Sequence, residues 1–193
     1  EITDNTIYTE GKYAISLLSA DDAVITGNTL YAHELKGDEA VYIASGSGNT
    51  VEGNLPFTYT TNVVTNDTFY QFFIESGLLR AEVPYNQLIF QGEFSDLVSV
   101  VTIDRDVDIV GDGAVLNGIG ITVSADGVEV SNFTIGGTLT LAANATAFNN
   151  TVNKLTVSGS YSVVDNNTIN TTVSITGSNV LFNLSSSVFI LPR

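Results

Sequence analysis

The sequence predicts an all-β fold, a right-handed parallel β-helix (β-solenoid) with a short capping helix in the middle of the chain. Three observations predict it. Asparagines recur at a fixed interval, short segments rich in Val, Ile and Thr lie between them, and tight-turn residues separate those segments. One repeat cannot bury its own apolar side chains, whereas stacked repeats bury them as continuous ladders. The right hand follows from the general chirality of parallel crossover connections.

The repeat is clearest in the C-terminal half. Its marker asparagines are spaced 17 residues apart, at Asn132, Asn149, Asn166 and Asn183. Each repeat also contains a strand-like segment that keeps the 17-residue spacing only approximately: 121–123, 139–141, 155–157 and 173–175. The sequence therefore predicts rungs of about 17 residues, some with a one-residue adjustment.

The N-terminal third contains the same unit with longer rungs. Residues 4–8 (Asp-Asn-Thr-Ile-Tyr) match residues 27–31 (Gly-Asn-Thr-Leu-Tyr) at a spacing of 23, and Gly53 follows Gly27 by 26. Extra residues, such as 32–39, are expected to form loops pushed out of a rung. A hairpin sandwich would require reversing two-residue Gly-rich turns, which are scarce here, and a leucine-rich horseshoe would require a Leu ladder.

Seven aligned positions begin the turn of the repeat, and only Gly, Asn and Asp occupy them: Asp4, Gly27, Gly53, Asn132, Asn149, Asn166 and Asn183. These residue types tolerate a positive φ best, so we expect a left-handed bend there, with stacked Asn side chains bonding along the ladder. The rival interpretation is N-glycosylation, because many of these asparagines lie in Asn-x-Ser/Thr sequons. The bend explains the ladder better, whereas Asn66, Asn144 and Asn170 stay open as isolated glycan acceptors.

A segment without the repeat separates the two sets of coils. The position of this segment predicts three regions: β-helix coils with longer rungs at 1–56, a linker and cap at 57–104, and coils of about 17 residues at 105–193. Within the cap, an Asn66-Asp67 start and a following Gly77 predict a short helix at about 67–76. Phe69, Phe72 and Phe73 share one helical face and are expected to cover exposed core, with a ligand-binding aromatic patch as the alternative.

Charge and composition exclude several functions. The 193-residue chain has a net charge of −15, so it lacks the basic stripe of a nucleic-acid binder. It has no Cys, which excludes disulfides and zinc–thiolate sites, and no apolar run near 18 residues, so no membrane span is expected.

One acidic cluster is a candidate cation site. Asp104, Asp106 and Asp108 alternate along a predicted strand, with Asp112 nearby. Three carboxylates on one face supply part of the six to eight oxygens that Ca²⁺ takes. A solvated strand is the alternative, and no other cofactor is expected.

Several segments resemble known proteins. Residues 25–30 (Ile-Thr-Gly-Asn-Thr-Leu), 130–135 (Val-Ser-Asn-Phe-Thr-Ile) and 165–169 (Asp-Asn-Asn-Thr-Ile) look like the repeats of pectin-lyase-like parallel β-helix proteins. Residues 65–73, 88–95 and 108–116 are similar to adhesin-like surface proteins of methanogenic archaea. The resemblance implies an extracellular, cell-surface location and an adhesive or envelope role. Such proteins are far longer, which leads us to expect a fragment or a repeat unit.

These observations favour a structural or adhesive surface module, not an enzyme. We expect it to associate with identical subunits or neighbouring β-helix domains, with end-to-end assembly into a filament or sheath. The basic residues are scattered, and the single histidine, His33, lies in a loop-like stretch, so no acid–base pair of a polysaccharide lyase or hydrolase is apparent. The alternative is a carbohydrate-binding module that contacts glycans or a partner cell surface. For that role, the aligned Tyr8 and Tyr31 would form a stacking ladder, although a packed core edge is the simpler interpretation.

Overall fold

The computed structural model describes residues 1–9, 11–32 and 35–187. The chain divides into two compact units, Glu1–Thr60 and Thr61–Arg193. In each unit, strands from successive repeats pair side by side in parallel. The predicted parallel β-solenoid is therefore confirmed.

The first unit is built from very short strands. In chain order they are β1 (Ile2–Thr3), β2 (Thr6–Thr9), β3 (Ile15–Leu17), β4 (Val24–Thr26), β5 (Thr29–Ala32), β6 (Leu35–Lys36), a 3-10 turn (Gly37–Ala40), β7 (Val41–Ile43), β8 (Thr50–Glu52) and β9 (Leu55–Pro56). The strands stack on three faces: β1, β4 and β8 on the first, β2, β5 and β9 on the second, and β3 and β7 on the third.

The register of the first unit follows the sequence repeat. Thr6 pairs with Thr29, and Thr29 pairs with Leu55, as the spacing of the repeats predicts. The inward side chains of the stacked rungs form a small core: Ile15, Ile25, Leu30, Ala32 and Ala40. The period-two alternation of a strand accounts for this arrangement, because alternate residues of each segment are apolar.

The second unit contains longer strands that bend from one face to the next. Its elements are β10 (Val63–Val64), α1 (Phe69–Phe72), β11 (Gln87–Phe94), β12 (Val100–Ile103), β13 (Asp108–Leu116), β14 (Gly120–Val123), β15 (Glu129–Ser131), β16 (Thr134–Leu141), β17 (Thr146–Phe148), β18 (Thr151–Val157), β19 (Val163–Ile175) and β20 (Leu181–Ser187). Strands β10, β11, β13, β15, β17 and β19 stack along one face, and β12, β14, β16, β18 and β19 stack along another.

Apolar columns run through the second unit from rung to rung. One inward column consists of Ile103, Val123, Leu141, Val157 and Ile175, which pair successively in register. Register shifts within β16 and β18 accommodate rungs of unequal length, as the imperfect phase of this segment predicts. The columns are the core of the unit, because each apolar side chain lies against its equivalents in the neighbouring rungs.

The cap is a single helical turn that packs onto the first rungs of the second unit. Phe69, Phe72 and Phe73 are all buried, and the rings of Phe69 and Phe73 stack at 4.8 Å between centroids. Phe73 also lies 5.9 Å from Phe90 of β11. These three side chains therefore cover core, and they are not an exposed aromatic patch.

The helix is shorter than the predicted range of about 67–76. It ends at Phe72 because Phe73 is extended and pairs in antiparallel fashion with Leu79. Gly77, with φ of 83°, makes the turn between these two residues. The predicted start at Asn66-Asp67 also differs, since Thr68 precedes the helix and Asn66 Oδ1 instead accepts a hydrogen bond from the N–H of Ser95 at 3.1 Å.

Candidate functional site

The turn that begins each repeat adopts a left-handed conformation in both units. Six of the seven aligned positions have φ between 54° and 68°: Asp4, Gly27, Gly53, Asn132, Asn149 and Asn166. A left-handed residue costs Gly nothing sterically and costs Asn or Asp less than other residues, which explains the restricted residue types. The bend lets the chain leave one face of the solenoid and enter the next within one residue.

Asn183 differs from the other six positions. It lies in β20 opposite Asp165, not opposite Asn166, because the pairing of β19 with β20 shifts on either side of Asn167. Its Nδ2 donates a hydrogen bond to Asp165 Oδ1 at 2.7 Å. The rung before it is one residue longer than the marker spacing implies, so the match of Asn183 to the 17-residue series does not correspond to the same structural position.

The exposed bend asparagines form an outer ladder. Asn149 Nδ2 donates to Asn132 Oδ1 at 2.7 Å, and Asn166 Nδ2 donates to Asn149 Oδ1 at 3.1 Å. This is the stacking that the sequence predicts for the bend positions. It also engages the amide nitrogens of Asn149 and Asn166, the atoms that a glycan would require.

A second, inner ladder is formed by the residue that follows the bend. In the first unit, Asn28 Oδ1 accepts hydrogen bonds from the backbone N–H and the Nδ2 of Asn5, at 2.9 and 3.0 Å. Asn54 Oδ1 accepts the same pair of bonds from Asn28, at 3.1 and 2.9 Å. Asn28 and Asn54 are buried, so each side chain satisfies polar groups of the bend that water cannot reach.

The second unit repeats this inner ladder. Asn167 Oδ1 accepts from the backbone N–H and Nδ2 of Asn150, both at 2.9 Å. Asn150 Oδ1 in turn accepts from the N–H of Phe133 at 2.9 Å, where the ladder side chain is a phenyl ring. No buried side-chain nitrogen or oxygen within the described residues is left without a hydrogen bond. Sequence reasoning assigned stacking only to the bend residue and missed this ladder, although the pairs Asp-Asn, Gly-Asn and Asn-Asn in the repeat carry its signal.

The inner ladder of the first unit ends on an aspartate. Asp38 Oδ1 accepts from the backbone N–H and the Nδ2 of Asn54, at 2.9 and 2.7 Å. These are the two bonds that an asparagine of a further rung would accept. Part of the predicted extruded loop thus folds back: β6 pairs in antiparallel fashion with β5, and the 3-10 turn places Asp38 over the last ladder residue.

The four aspartates proposed for calcium do not come together. Asp104 and Asp106 are exposed in the bend between β12 and β13, so they do not alternate along one strand with Asp108. Asp108 Oδ1 accepts from the N–H of Glu129 at 2.7 Å, and Asp112 Oδ2 accepts from Gln91 Nε2 at 2.8 Å. The described residues contain no group of three or more Asp, Glu, His or Cys side chains that could hold a metal ion.

The three isolated glycan acceptors differ in their surroundings. Asn66 is half-buried, with its Oδ1 engaged by Ser95 as described above. Asn144 is exposed in the turn between β16 and β17, and Asn170 is exposed within β19. The geometry therefore leaves Asn144 and Asn170 as the more accessible of the three.

Two tyrosine stacks lie in the first unit. The rings of Tyr8 and Tyr31 stack at 4.3 Å, and Phe57 packs edge-on against Tyr8 at 5.1 Å. Both tyrosines are half-buried, so this stack is a packed edge of the core. The second pair, Tyr13 and Tyr42, stacks at 4.7 Å, and sequence reasoning missed it because the two residues do not align in the repeat.

Two of the basic residues bind backbone carbonyls. Arg80 is buried, and its Nε donates to the carbonyl of Tyr70 at 2.9 Å. Arg105 donates from its guanidinium to the carbonyls of Arg80 and Val83. These contacts give both arginines a structural role in the cap. His33 lies outside the described residues.

The fold and its ladders define a β-solenoid. Comparison with protein-family models, with curated proteins and with solved structures found no match to this chain. No helix in the described part of the chain has the length and apolar character needed to cross a membrane.

The inner ladder generates a first prediction. Replacing Asn150 by Ala removes the acceptor of the Phe133 N–H and the donor to the Val130 carbonyl, and both bonds are buried. Because each buried polar group without a partner costs about 1–3 kcal/mol, we expect Asn150→Ala to lower the free energy of unfolding by about 2–4 kcal/mol. Chemical denaturation measures this loss. The control is the adjacent Asn149→Gly, which keeps the left-handed bend and removes two exposed hydrogen bonds of the outer ladder, so it should cost about 1 kcal/mol or less.

The ladder terminus generates a second prediction. Asp38→Asn keeps an Oδ1 in the same place, so it should leave the thermal midpoint nearly unchanged. Asp38→Ala removes the acceptor for two donors of buried Asn54 and should cost about 1–3 kcal/mol. Thermal unfolding of the two variants compares them directly. Equal destabilisation by both variants would show that the charge of Asp38, not its role as acceptor, matters.

Proposed function

We propose that this protein is an extracellular structural or adhesive surface module that associates with another β-helix through its rungs. The observation that carries the proposal is a change of exposure along one core column within the described residues. Leu141 and Val157 are completely buried, yet Ile175, the next residue of the same column, is 42% exposed. A partly exposed residue of such a column is a surface on which a further rung can stack, since each rung buries its side chains only against its neighbours.

The backbone at this end supports the same interaction. Strand β20 pairs with β19, and Leu181 within it is 62% exposed. An edge strand presents unpaired N–H and C=O groups, which form a template for a strand of another chain. Repetition of such a head-to-tail contact produces a fibre when the rotation between subunits does not close a ring.

The outer surface of the second unit suits lateral packing. One outward column consists of Thr102, Thr122, Thr140, Thr156 and Ser174, which pair in register from rung to rung. This face carries short hydroxyl side chains in a chain whose net charge is −15. Neighbouring solenoids can approach such a face without repulsion between carboxylates, which supports packing into a sheet or sheath.

We propose a non-catalytic role because acidic side chains are scarce in the C-terminal rungs. Residues 138–187 contain a single acid, Asp165, and its Oδ1 accepts a hydrogen bond from Asn183. Polysaccharide hydrolysis requires two carboxylates at a defined separation. The few charges of these rungs instead support a scaffold role for residues 138–187.

Assembly through the apolar column can be tested with a single lysine substitution. Ile175→Lys places an ammonium group on the partly exposed residue of the apolar column and should abolish association with other copies of the chain, because a charge buried at an interface without a partner is costly. Analytical ultracentrifugation and negative-stain electron microscopy across a dilution series measure the effect. The control is Phe148→Lys, on the lateral face of β17, where the native ring is 40% exposed. If the native protein stays a single particle at high concentration, the proposed end-to-end association is wrong.

The Tyr13–Tyr42 pair favours a second candidate function, carbohydrate binding. Tyr42 is 41% exposed and stacks on Tyr13, over which the Lys12 ammonium lies at 5.1 Å from the ring centroid. A ring fixed by a second ring on a β-sheet loses little conformational entropy when a ligand stacks on it. Such a platform suits the apolar face of a sugar ring.

A binding comparison tests this candidate. We expect the protein to bind immobilised polysaccharides on a glycan array, with Tyr42→Ala weakening the affinity by up to about tenfold, because an aromatic stack contributes about 0.5–1.5 kcal/mol. Tyr42→Phe retains the ring and should bind like the native protein. Equal binding by native protein and Tyr42→Ala would exclude this platform.

A further inference from the structure

Asn144 stands apart from the asparagines of the ladders. It lies in an Asn-Ala-Thr sequon, it is exposed, and it occupies a turn. Its backbone N–H donates to Asp126 Oδ1 at 3.0 Å, whereas its side-chain amide has no hydrogen-bond partner among the described residues. The amide nitrogen of Asn144 is therefore accessible, unlike those of Asn149 and Asn166 in the outer ladder.

Tyr161 is the unusual residue of the neighbouring turn. It has φ of 63°, in the left-handed region that a bulky side chain rarely adopts. The nearby turns place Gly127 and Asn179 in this conformation, at φ of 86° and 56°, and both are residues that adopt it readily. The ring of Tyr161 is also 65% exposed, so burial of the ring does not compensate for this strain. An exposed, strained aromatic side chain indicates a contact that the isolated chain does not make.

Asn144 and Tyr161 occupy the same turn in successive rungs. Thr146 pairs with Val163, and the N–H of Val163 donates to the carbonyl of Ala145 at 3.0 Å. Asn144 and Tyr161 each lie two residues before this pair, in turns of four (142–145) and five (158–162) residues that stack in successive rungs. A group attached to the side chain of Asn144 would project from the surface beside the tyrosine ring.

We propose that Asn144 carries an N-linked sugar and that the first sugar residue packs against the ring of Tyr161. The donor is an oligosaccharide linked through a diphosphate to a lipid, and a glycosyltransferase catalyses the reaction. A bond forms between Nδ2 of Asn144 and the anomeric carbon of the sugar, while the bond from that carbon to the diphosphate oxygen breaks. The lipid diphosphate leaves with the electron pair, and the amide nitrogen loses one proton.

A sugar on Asn144 that packs against Tyr161 accounts for both the accessible sequon and the exposed, strained ring. The apolar face of a pyranose ring covers an aromatic ring well, and it would cover the exposed part of Tyr161. The covalent link holds the sugar at the tyrosine, so the contact needs no affinity for free sugar. The inference rests on the proposed extracellular location, since N-glycosylation accompanies secretion.

The experiment tests glycosylation of Asn144 independently of the proposed extracellular location. The chain is secreted from a eukaryotic cell line that adds N-linked glycans, so the outcome does not depend on where the protein resides in its own source. Glycopeptide mapping should find a glycan on Asn144, and Asn144→Gln should remove it. Absence of a glycan from Asn144 in the secreted, folded chain would overturn the inference and leave the proposed adhesive role untouched.

A second measurement tests the contact with Tyr161. The N-acetyl methyl protons of the first sugar should be shifted upfield by the tyrosine ring in the proton NMR spectrum. Tyr161→Phe keeps the ring and should keep the shift, and Tyr161→Asn should abolish it. Asn occupies the same backbone conformation at Asn179, so this substitution relieves strain and does not threaten the fold. An identical methyl shift in Tyr161→Asn would show that the sugar does not pack on the ring.

Discussion

The structure depends on one constraint: every rung must close through a bend whose backbone groups are buried against the next rung. A left-handed residue makes the bend. The asparagine that follows it forms hydrogen bonds with the buried backbone groups that the bend leaves without a partner in the strand ladder. Asn28 does so by accepting two hydrogen bonds from Asn5, while its own Nδ2 donates to the carbonyls of Ile2 and Thr26. Since buried amide groups without partners are costly, this side chain fixes the register between rungs as firmly as the apolar columns do.

The left-handed bend and the hydrogen-bonding asparagine occupy adjacent residues. This explains why the pairs Asp-Asn, Gly-Asn and Asn-Asn recur in the sequence. The bend position accepts Asp, Gly or Asn because all three adopt a positive φ readily, and the asparagines of the second unit add exposed hydrogen bonds between rungs. The next position requires a carbonyl oxygen and an NH₂ group on the same short side chain, which only Asn provides. Phe133 is the exception: its N–H still donates to Asn150, but its ring joins the aromatic core beside Phe90 at 5.3 Å. The ladder thus ends where the aromatic core of the cap begins.

Much of the fold could be predicted from the sequence because a solenoid repeats one local solution. The fixed interval, the apolar alternation and the restricted bend residues each identified the parallel β-helix. Features that break the repeat could not be predicted in the same way. The series of bend asparagines did not reveal the one-residue insertion before Asn183, since that change depends on how β19 and β20 pair. Likewise, the alternation of Asp104, Asp106 and Asp108 mimics a strand, whereas the chain turns there between two faces.

The two ends of the described ladders show how such a fold can either stop or continue. At Asn54 the chain supplies its own terminator, because Asp38 accepts both bonds that a further asparagine would accept. The terminator comes from an insertion within the preceding rung, so it occupies the position of the next rung at that corner of the solenoid. Ile175 is 42% exposed, whereas Leu141 and Val157 of the same column are fully buried. The capped polar ladder and the partly exposed apolar column together support the proposal that further rungs add at Ile175 and not at Asn54. At Asn54 a further rung would have to displace Asp38 from its two hydrogen bonds, whereas at Ile175 it would bury apolar surface that is now partly exposed.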